Sequence, residues 1–370
     1  MNNILQWLEV AEDIRQPWKV KHLMKDIIAL VFFASLANAD DWGAIYLFGV
    51  MNEKYLRKYL ELPYGIPSHD TIQRVFSMVS PEYLQAFRKR WDEVMNCNGG
   101  AKIKRILGID GKTQHGNAKA NQKANHIVSA VDDRGFCLGE VLTQEKSNEI
   151  TAIPELLKTL NIKGNIVTID AMGCQLNIAA LIRQKRADYL LALKGNQGTL
   201  YEDVKLYFDD PSLLAGCATT STLEKAHGGI ERREYWQTDD INWMPQQKEW
   251  KGLKTIIMTR NTITKNGTTT SETRYFISSL SKDAEEAARA IRGHWMVESY
   301  HWHLDVTFRE DANKTAEKDS AFNLNIIRKM ALNTLKLVDH SNIMKRMSIK
   351  NKRYIIGANF EQYFEMLINL

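Results

Sequence analysis

Cysteine is scarce in this chain: its four residues, Cys97, Cys137, Cys174 and Cys217, lie about forty positions apart with no CxxC pair. That spacing excludes a disulfide framework or a zinc knuckle and leaves reduced, structural thiols as the expectation. Long apolar runs are missing too, since the longest, Ile27 to Leu36, is too short to span a bilayer. The N-terminal stretch carries Glu9, Glu12 and Asp13 without a basic leader, so no secretory signal and no membrane partner are expected, and the cytoplasm is the expected location. No internal repeat or low-complexity tract is found. What remains, with 44% apolar and 25% charged residues over 370 positions, is ordinary globular protein, long enough for two domains or for one domain with a large insertion.

Net charge of one sign is also nearly absent, at +5, but its placement is uneven. Six Lys/Arg face one acid between Ala101 and Asn125, and eight face one between Asn325 and Arg353, which leaves the rest of the chain at about −7 (35 basic, 42 acidic). Two basic stretches on a mildly acidic body suit a polyanion, because each neutralised phosphate releases condensed counterions. Two solvated faces are the alternative.

Up to about Asn98 the pattern is helical. Leu23 to Ala39 is apolar with helix formers, and Lys54 to Leu60 is a short amphipathic piece. After the breakers of Pro63 to Ser68, Ser68 caps a helix through Val79 and Ser80-Pro81-Glu82 starts another. Such a pair is either a helix-turn-helix laid on DNA or two helices that only pack.

β-branched runs begin at Lys102. Ile106 to Asp110, His126 to Asp132 and Cys137 to Thr143 read as strands, followed by a helix from Asn148 and Glu149 to about Leu160, a strand Asn165 to Asp170, a helix Gln175 to Ala187 and a strand Tyr189 to Leu193. This order implies an α/β fold whose mixed sheet carries helices on its faces. Gln197 to Leu280 reads as a strand-rich insertion, clearest at Glu231 to Trp236, Leu253 to Thr259 and Arg274 to Ser279. A long helix then starts near Ser281, capped by that hydroxyl, and runs to about Thr307.

Three carboxylates stand out. Asp110 ends the first strand, where an Asp-Gly turn is the competing reason for it. Asp170 ends the fourth strand, where it also suits a helix cap. Open α/β sheets bind ligands at the carboxyl ends of their strands, so the two acids can share one site. Glu298 falls on a stripe with Ile291, Trp295, Trp302 and Asp305, which should face the sheet with both tryptophans in the core. An unpaired buried carboxylate is costly, so Glu298 needs a partner, exposure or a divalent cation. Three such acids suit a two-metal phosphoryl site with ions roughly 3.5 to 4 Å apart. A di-iron helix bundle, from Glu298-x-x-His301 and Glu224-x-x-His227, is the competing metal reading.

These residues, in this element order, resemble the DDE transposases of the RNase H-like superfamily, and more narrowly the insertion-sequence group that includes the H-repeat-associated proteins near Rhs elements. The likeness rests on Gly65-Ile66-Pro67-Ser68-His69-Asp70-Thr71, on Ile109-Asp110-Gly111-Lys112-Thr113, and on Ile169-Asp170-Ala171-Met172-Gly173-Cys174-Gln175. Leu193-Lys194-Gly195-Asn196-Gln197, His227-Gly228-Gly229-Ile230-Glu231-Arg232-Arg233 and His294-Trp295-Met296-Val297-Glu298 with His301-Trp302-His303-Leu304-Asp305 extend it. It implies a helical N-terminal transposase-associated domain over 1–98, an RNase H-like catalytic domain over 99–340 with its insertion at about 197–280, and a basic C-terminal segment over 341–370. It further implies metal-dependent DNA cleavage and strand transfer at element ends, with Asp110, Asp170 and Glu298 as ligands of two Mg2+ ions and Mn2+ able to substitute. The implied partner is double-stranded DNA, element ends and target, met by a homodimer at the nucleoid. Lys112, Lys194, Arg232, His294 and His301 are the candidate DNA contacts, the two histidines lying one turn either side of Glu298. Gln114 and His115 stand where the family commonly has Arg after Lys112-Thr113, and Ser299 where Asn is usual. Loss of that Arg weakens a phosphate contact, since His is only partly charged near neutral pH. A hydrolysis-only nuclease and a DNA-binding relic are the alternatives.

Overall fold

A computed structural model describes residues 8, 13, 15–96, 104–118, 123–143, 149–226, 228–338 and 343–368. Cys97, Asn148 and His227 therefore lie outside the described residues, while Cys137, Cys174 and Cys217 are free thiols. The chain forms two compact units. One comprises Met1–Gly100, Thr113–Ile127 and Tyr300–Leu370, and the other Ala101–Lys112 and Val128–Ser299.

The first unit is helical. Helix α1 (Met24–Leu36) is buried almost all round, as its unbroken apolar run requires. Helix α2 spans Trp42–Leu56, starting well before the amphipathic piece read over Lys54 to Leu60 and ending short of its close, because the Asp41 carboxylate accepts from Ala44 N at 2.8 Å and starts the helix there. Ser68 caps α3 (His69–Phe76) by accepting from Thr71 N, and Ser80 accepts from Tyr83 N at the start of α4 (Pro81–Asn96).

The second unit is built on a nine-stranded sheet. Its strands are β1 (Ile106–Thr113), β2 (His126–Asp132), β3 (Cys137–Thr143), β4 (Ile166–Ile169), β5 (Asp188–Leu193), β6 (Ala218–Ala226), β7 (Gly229–Thr238), β8 (Thr255–Lys265) and β9 (Thr268–Ser278), in the order β3-β2-β1-β4-β5-β9-β8-β7-β6. Strands β1, β4 and β5 run parallel, and β5 to β9 and onward to β6 is antiparallel. The insertion thus lengthens the central sheet, because β9 takes the free edge of β5.

Alternation along the strands splits the core into two layers. Leu107, Ile109, Val167 and Leu191 face α5 (Glu149–Thr159), α6 (Leu176–Gln184) and α7 (Gly198–Asp209), whereas Ile106, Ile166, Leu190 and Phe276 pack with Ala287 and Ala290 of the long helix α9 (Ala284–Trp302). A four-residue helix α8 (Pro211–Leu214) follows α7. Four sequence expectations fail here, the first at β1, which continues through Gly111 to Thr113 instead of ending or turning at Asp110. The insertion opens with helix, since Leu200, Val204, Tyr207 and Phe208 repeat at helical spacing and are all buried. Asp283, not Ser281, caps α9, its Oδ1 accepting from Glu285 N and Glu286 N at 3.0 Å. Trp295 and Trp302 are exposed, at 45% and 54%, as is Glu298 on the same stripe, and the positions that α9 buries within the second unit are Ala284, Ala287, Ala288, Ala290 and Val297 instead. Small residues let a helix approach a sheet closely, and that contact outweighs the area of the larger rings. After Trp302 the chain makes one π-helical stretch, His303–Thr307, then helices α10 (Lys318–Leu337), α11 (Ile349–Ala358) and α12 (Phe360–Ile368) of the first unit. No helix among the described residues is long and apolar enough to cross a membrane.

Candidate active site

Strands β1 and β4 pair in parallel with Ile109 opposite Ile169, so the next residues, Asp110 and Asp170, emerge side by side. Asp170 leaves β4 with its Oδ1 accepting from Met172 N at 3.1 Å and Gly173 N at 3.4 Å. The third acid comes down from α9, whose approach depends on two glycines. A Cβ on Gly108 of β1 would lie 3.2 Å from the His294 carbonyl oxygen and from Val297 Cγ1. A Cβ on Gly293 would lie 2.7 Å from Ile106 Cδ1. With both absent the helix seats directly on the strand.

Asp110, Asp170 and Glu298 line one cavity of about 490 Å³ in the second unit. Burial, then the charge of Asp110, pushes the Asp170 carboxyl above the ordinary carboxylate range. Burial pushes the His294 imidazole down, against the opposing pull of Asp110, Glu298 and Asp170. Four groups from three elements therefore share one electrostatic environment. Cys174, beside them in sequence, is not a nucleophile in this setting: burial and the Asp170 charge hold its thiol up at about 12.

Of the other candidates, Lys194 and His294 line the same cavity. Arg232 does not. Its neighbour Arg233 does, because successive side chains of β7 alternate between faces, while Arg232 is exposed and pairs with Glu234 at 2.8 Å. Lys112 is buried outside the cavity lining, and His301 is a buried residue of the first unit. The di-iron alternative fails because Glu224 sits on β6, paired with Arg233 at 2.8 Å, rather than on a bundle helix. Arginines that the sequence did not single out as site residues add to the lining, Arg233, Arg260, Arg274 and Arg292, with Arg292 6.0 Å from the exposed ring of Trp295. Strand alternation from Arg232 would have indicated Arg233; nothing local marks Arg274 or Arg292.

Among the described residues no group of three or more His, Cys, Asp or Glu is arranged to hold a metal ion as it stands. The donor chemistry nevertheless fits a hard divalent cation. Carboxylate oxygens are its preferred ligands, magnesium keeps several waters and needs only one or two of them, and the charge crowding at Asp170 is what a cation relieves.

A family model described as "Transposase DDE domain" matches residues 99–334, and a second, "DDE_Tnp_1-associated", matches 5–92. "Putative transposase YncI" of Escherichia coli O157:H7 is 41% identical, over 97% of this chain and 93% of its own. "H repeat-associated putative transposase YhhI" of Escherichia coli K12 is 38% identical, over 90% of each. "Inactive transposase YbfQ" of the same strain is 36% identical over 21% of this chain and 92% of its own.

Proposed function

This chain belongs to the transposase DDE family, and from that premise we propose that it cleaves DNA and transfers the cut strand at the ends of a mobile element, with Asp110, Asp170 and Glu298 holding divalent metal. The observation that carries the reading is the meeting of these three acids, from two adjacent strands and one helix, in a cavity that also presents Lys194, Arg233, Arg260, Arg274 and Arg292. When bound, two magnesium ions, or manganese in their place, supply the charge that activates a water or 3′-hydroxyl and stabilises the leaving oxygen.

The chain's own groups do the remaining work. Lys194 and Arg292 neutralise phosphates and set the strand's register, since phosphate contacts position a duplex without reading its sequence. Arg233 and Arg274 are held by Glu231 and Glu272, so their guanidinium planes are oriented before DNA arrives. Trp295 offers an exposed ring on which a base can stack. Double-stranded DNA is the substrate, and a homodimer engages it, one subunit per element end.

The test is cleavage of DNA carrying the gene's own flanking sequence, in magnesium or manganese, by the wild-type chain and by Asp170→Asn. We expect cutting and strand transfer by the first alone. Equal cutting by both removes the catalytic assignment. Cutting without joined products points to a hydrolysis-only nuclease, and tight, salt-sensitive binding without cutting points to a relic, a reading favoured by Gln114 and His115 in place of the family's Arg.

A further inference from the structure

We propose that Thr168 and His294 are positioning residues, a hydrogen-bonded link that sets where Glu298 stands relative to Asp110 and Asp170. Thr168 is 1% exposed, and its Oγ1 lies 3.0 Å from His294 Nδ1 and 3.4 Å from the carbonyl oxygen of Leu107. One hydroxyl thus touches β1, belongs to β4 and reaches α9, the three elements that carry the acids. Its place in each is close to the acid: Leu107 stands three residues before Asp110, Thr168 two before Asp170, and His294 one helical turn before Glu298. Whichever partner takes the hydroxyl proton, the imidazole is bound to β4 and the helix cannot slide along the strands without breaking that bond.

The surrounding packing makes the link decisive. Gly108 and Gly293 remove the side chains that would otherwise wedge α9 away from β1, so steric contact fixes the height of the helix, and neither glycine supplies a side-chain bond against its travel along the strand axis. A buried directional bond restrains that travel. Outer bonds of this kind typically govern metal affinity by tenfold to a hundredfold, because small displacements of a ligand oxygen lose coordination. His294 therefore serves the site through the fold rather than by touching DNA. This inference rests on reading the cavity as a divalent-metal site, and its test separates the two.

The experiment uses the full chain, wild type against Thr168→Val, which keeps the side-chain shape and deletes the hydroxyl, and Thr168→Ser, which restores it. Hydrogen exchange of the amides of 291–298 is read without metal, and manganese binding is read by titration calorimetry. Exchange about tenfold faster and a manganese Kd about tenfold higher are expected in Thr168→Val, with both returning to within about twofold of wild type in Thr168→Ser. Unchanged exchange and unchanged Kd in Thr168→Val overturn the proposal. Faster exchange with unchanged Kd overturns it as well, since the bond would then hold the helix without serving the site. Absence of manganese binding in the wild type sinks the metal reading of the cavity, whereas binding lost in Asp170→Asn and unaffected in Thr168→Val sinks only the positioning role.

Discussion

Asp170 carries the sharpest conflict between stability and function at the scale of a single residue. Its folded-state pKa is raised by burial and by Asp110 from an ordinary value of 3.8, so the folded chain holds the proton more tightly than the unfolded one. The stabilisation from that proton is complete below the unfolded value and is lost as pH rises through the folded value. At neutral pH without metal, the ionised carboxylate is therefore a cost. Asp170→Asn keeps an oxygen to accept from Met172 N and removes the charge, so scanning calorimetry in chelator at pH 7 should show a midpoint higher by about 2 °C. That gain should fade below about pH 4, and magnesium should raise the midpoint of the wild type only. Gly108 makes the complementary case. Strand propensity favours Gly108→Ala by roughly 0.5–1 kcal/mol, yet the new Cβ meets the His294 carbonyl oxygen and Val297, and overpacking costs about 1–3 kcal/mol. Net destabilisation is expected in a denaturant titration, along with a weaker manganese site.

Element-scale geometry explains why the cavity has both charges. Parallel pairing of β1 with β4 delivers the acids, and antiparallel addition of β9, β8 and β7 to the edge of β5 brings Arg274 and Arg233 to the same cavity. The inserted strands are therefore part of the site's wall. Lys194, just beyond the end of β5, lines the cavity, whereas Arg232 on β7 does not. Lys194→Ala should lower the slope of log affinity against log salt for DNA by about 1 and weaken binding evenly across sequences. Fluorescence anisotropy at several salt concentrations measures this.

For the molecule as a whole, the helical unit is assembled from chain segments far apart in sequence. Arg353 of α11 is fully buried: its Nη2 donates to Asp40 Oδ1 at 2.6 Å and to Ser35 O at 2.9 Å, Nη1 donates to Thr307 O, and the guanidinium lies 4.0 Å from the Phe308 ring. Phe360 and Phe364 of α12 meet Phe33 at ring separations of 6.0 and 4.8 Å. Removing one partner of a buried ion pair leaves the other uncompensated, so Arg353→Met should cost about 3–5 kcal/mol in urea unfolding. A chain ending at residue 340 loses the rings as well and should fail to unfold cooperatively.

Local chemistry alone determined much of this protein. Strands β2 and β3 have the bounds that β-branched periodicity indicates, Ser68 and Ser80 cap the helices they precede, and the placing of Asp110 and Asp170 on neighbouring strands follows from the α/β element order, although β1 runs on to Thr113 instead of ending at Asp110. Each depends on a period or a cap within a few residues, which the chain carries in itself. The orientation of α9 was not legible in that way. Its largest apolar side chains fall on one stripe, so periodicity offered Trp295 and Trp302, whereas the sheet took Ala287, Ala290 and Gly293 because small residues permit close approach. Likewise Arg274, Arg292 and Thr168 acquire their roles only when distant strands and a helix are brought together. Tertiary packing decided those matters, because steric fit between surfaces far apart in sequence has no period to read.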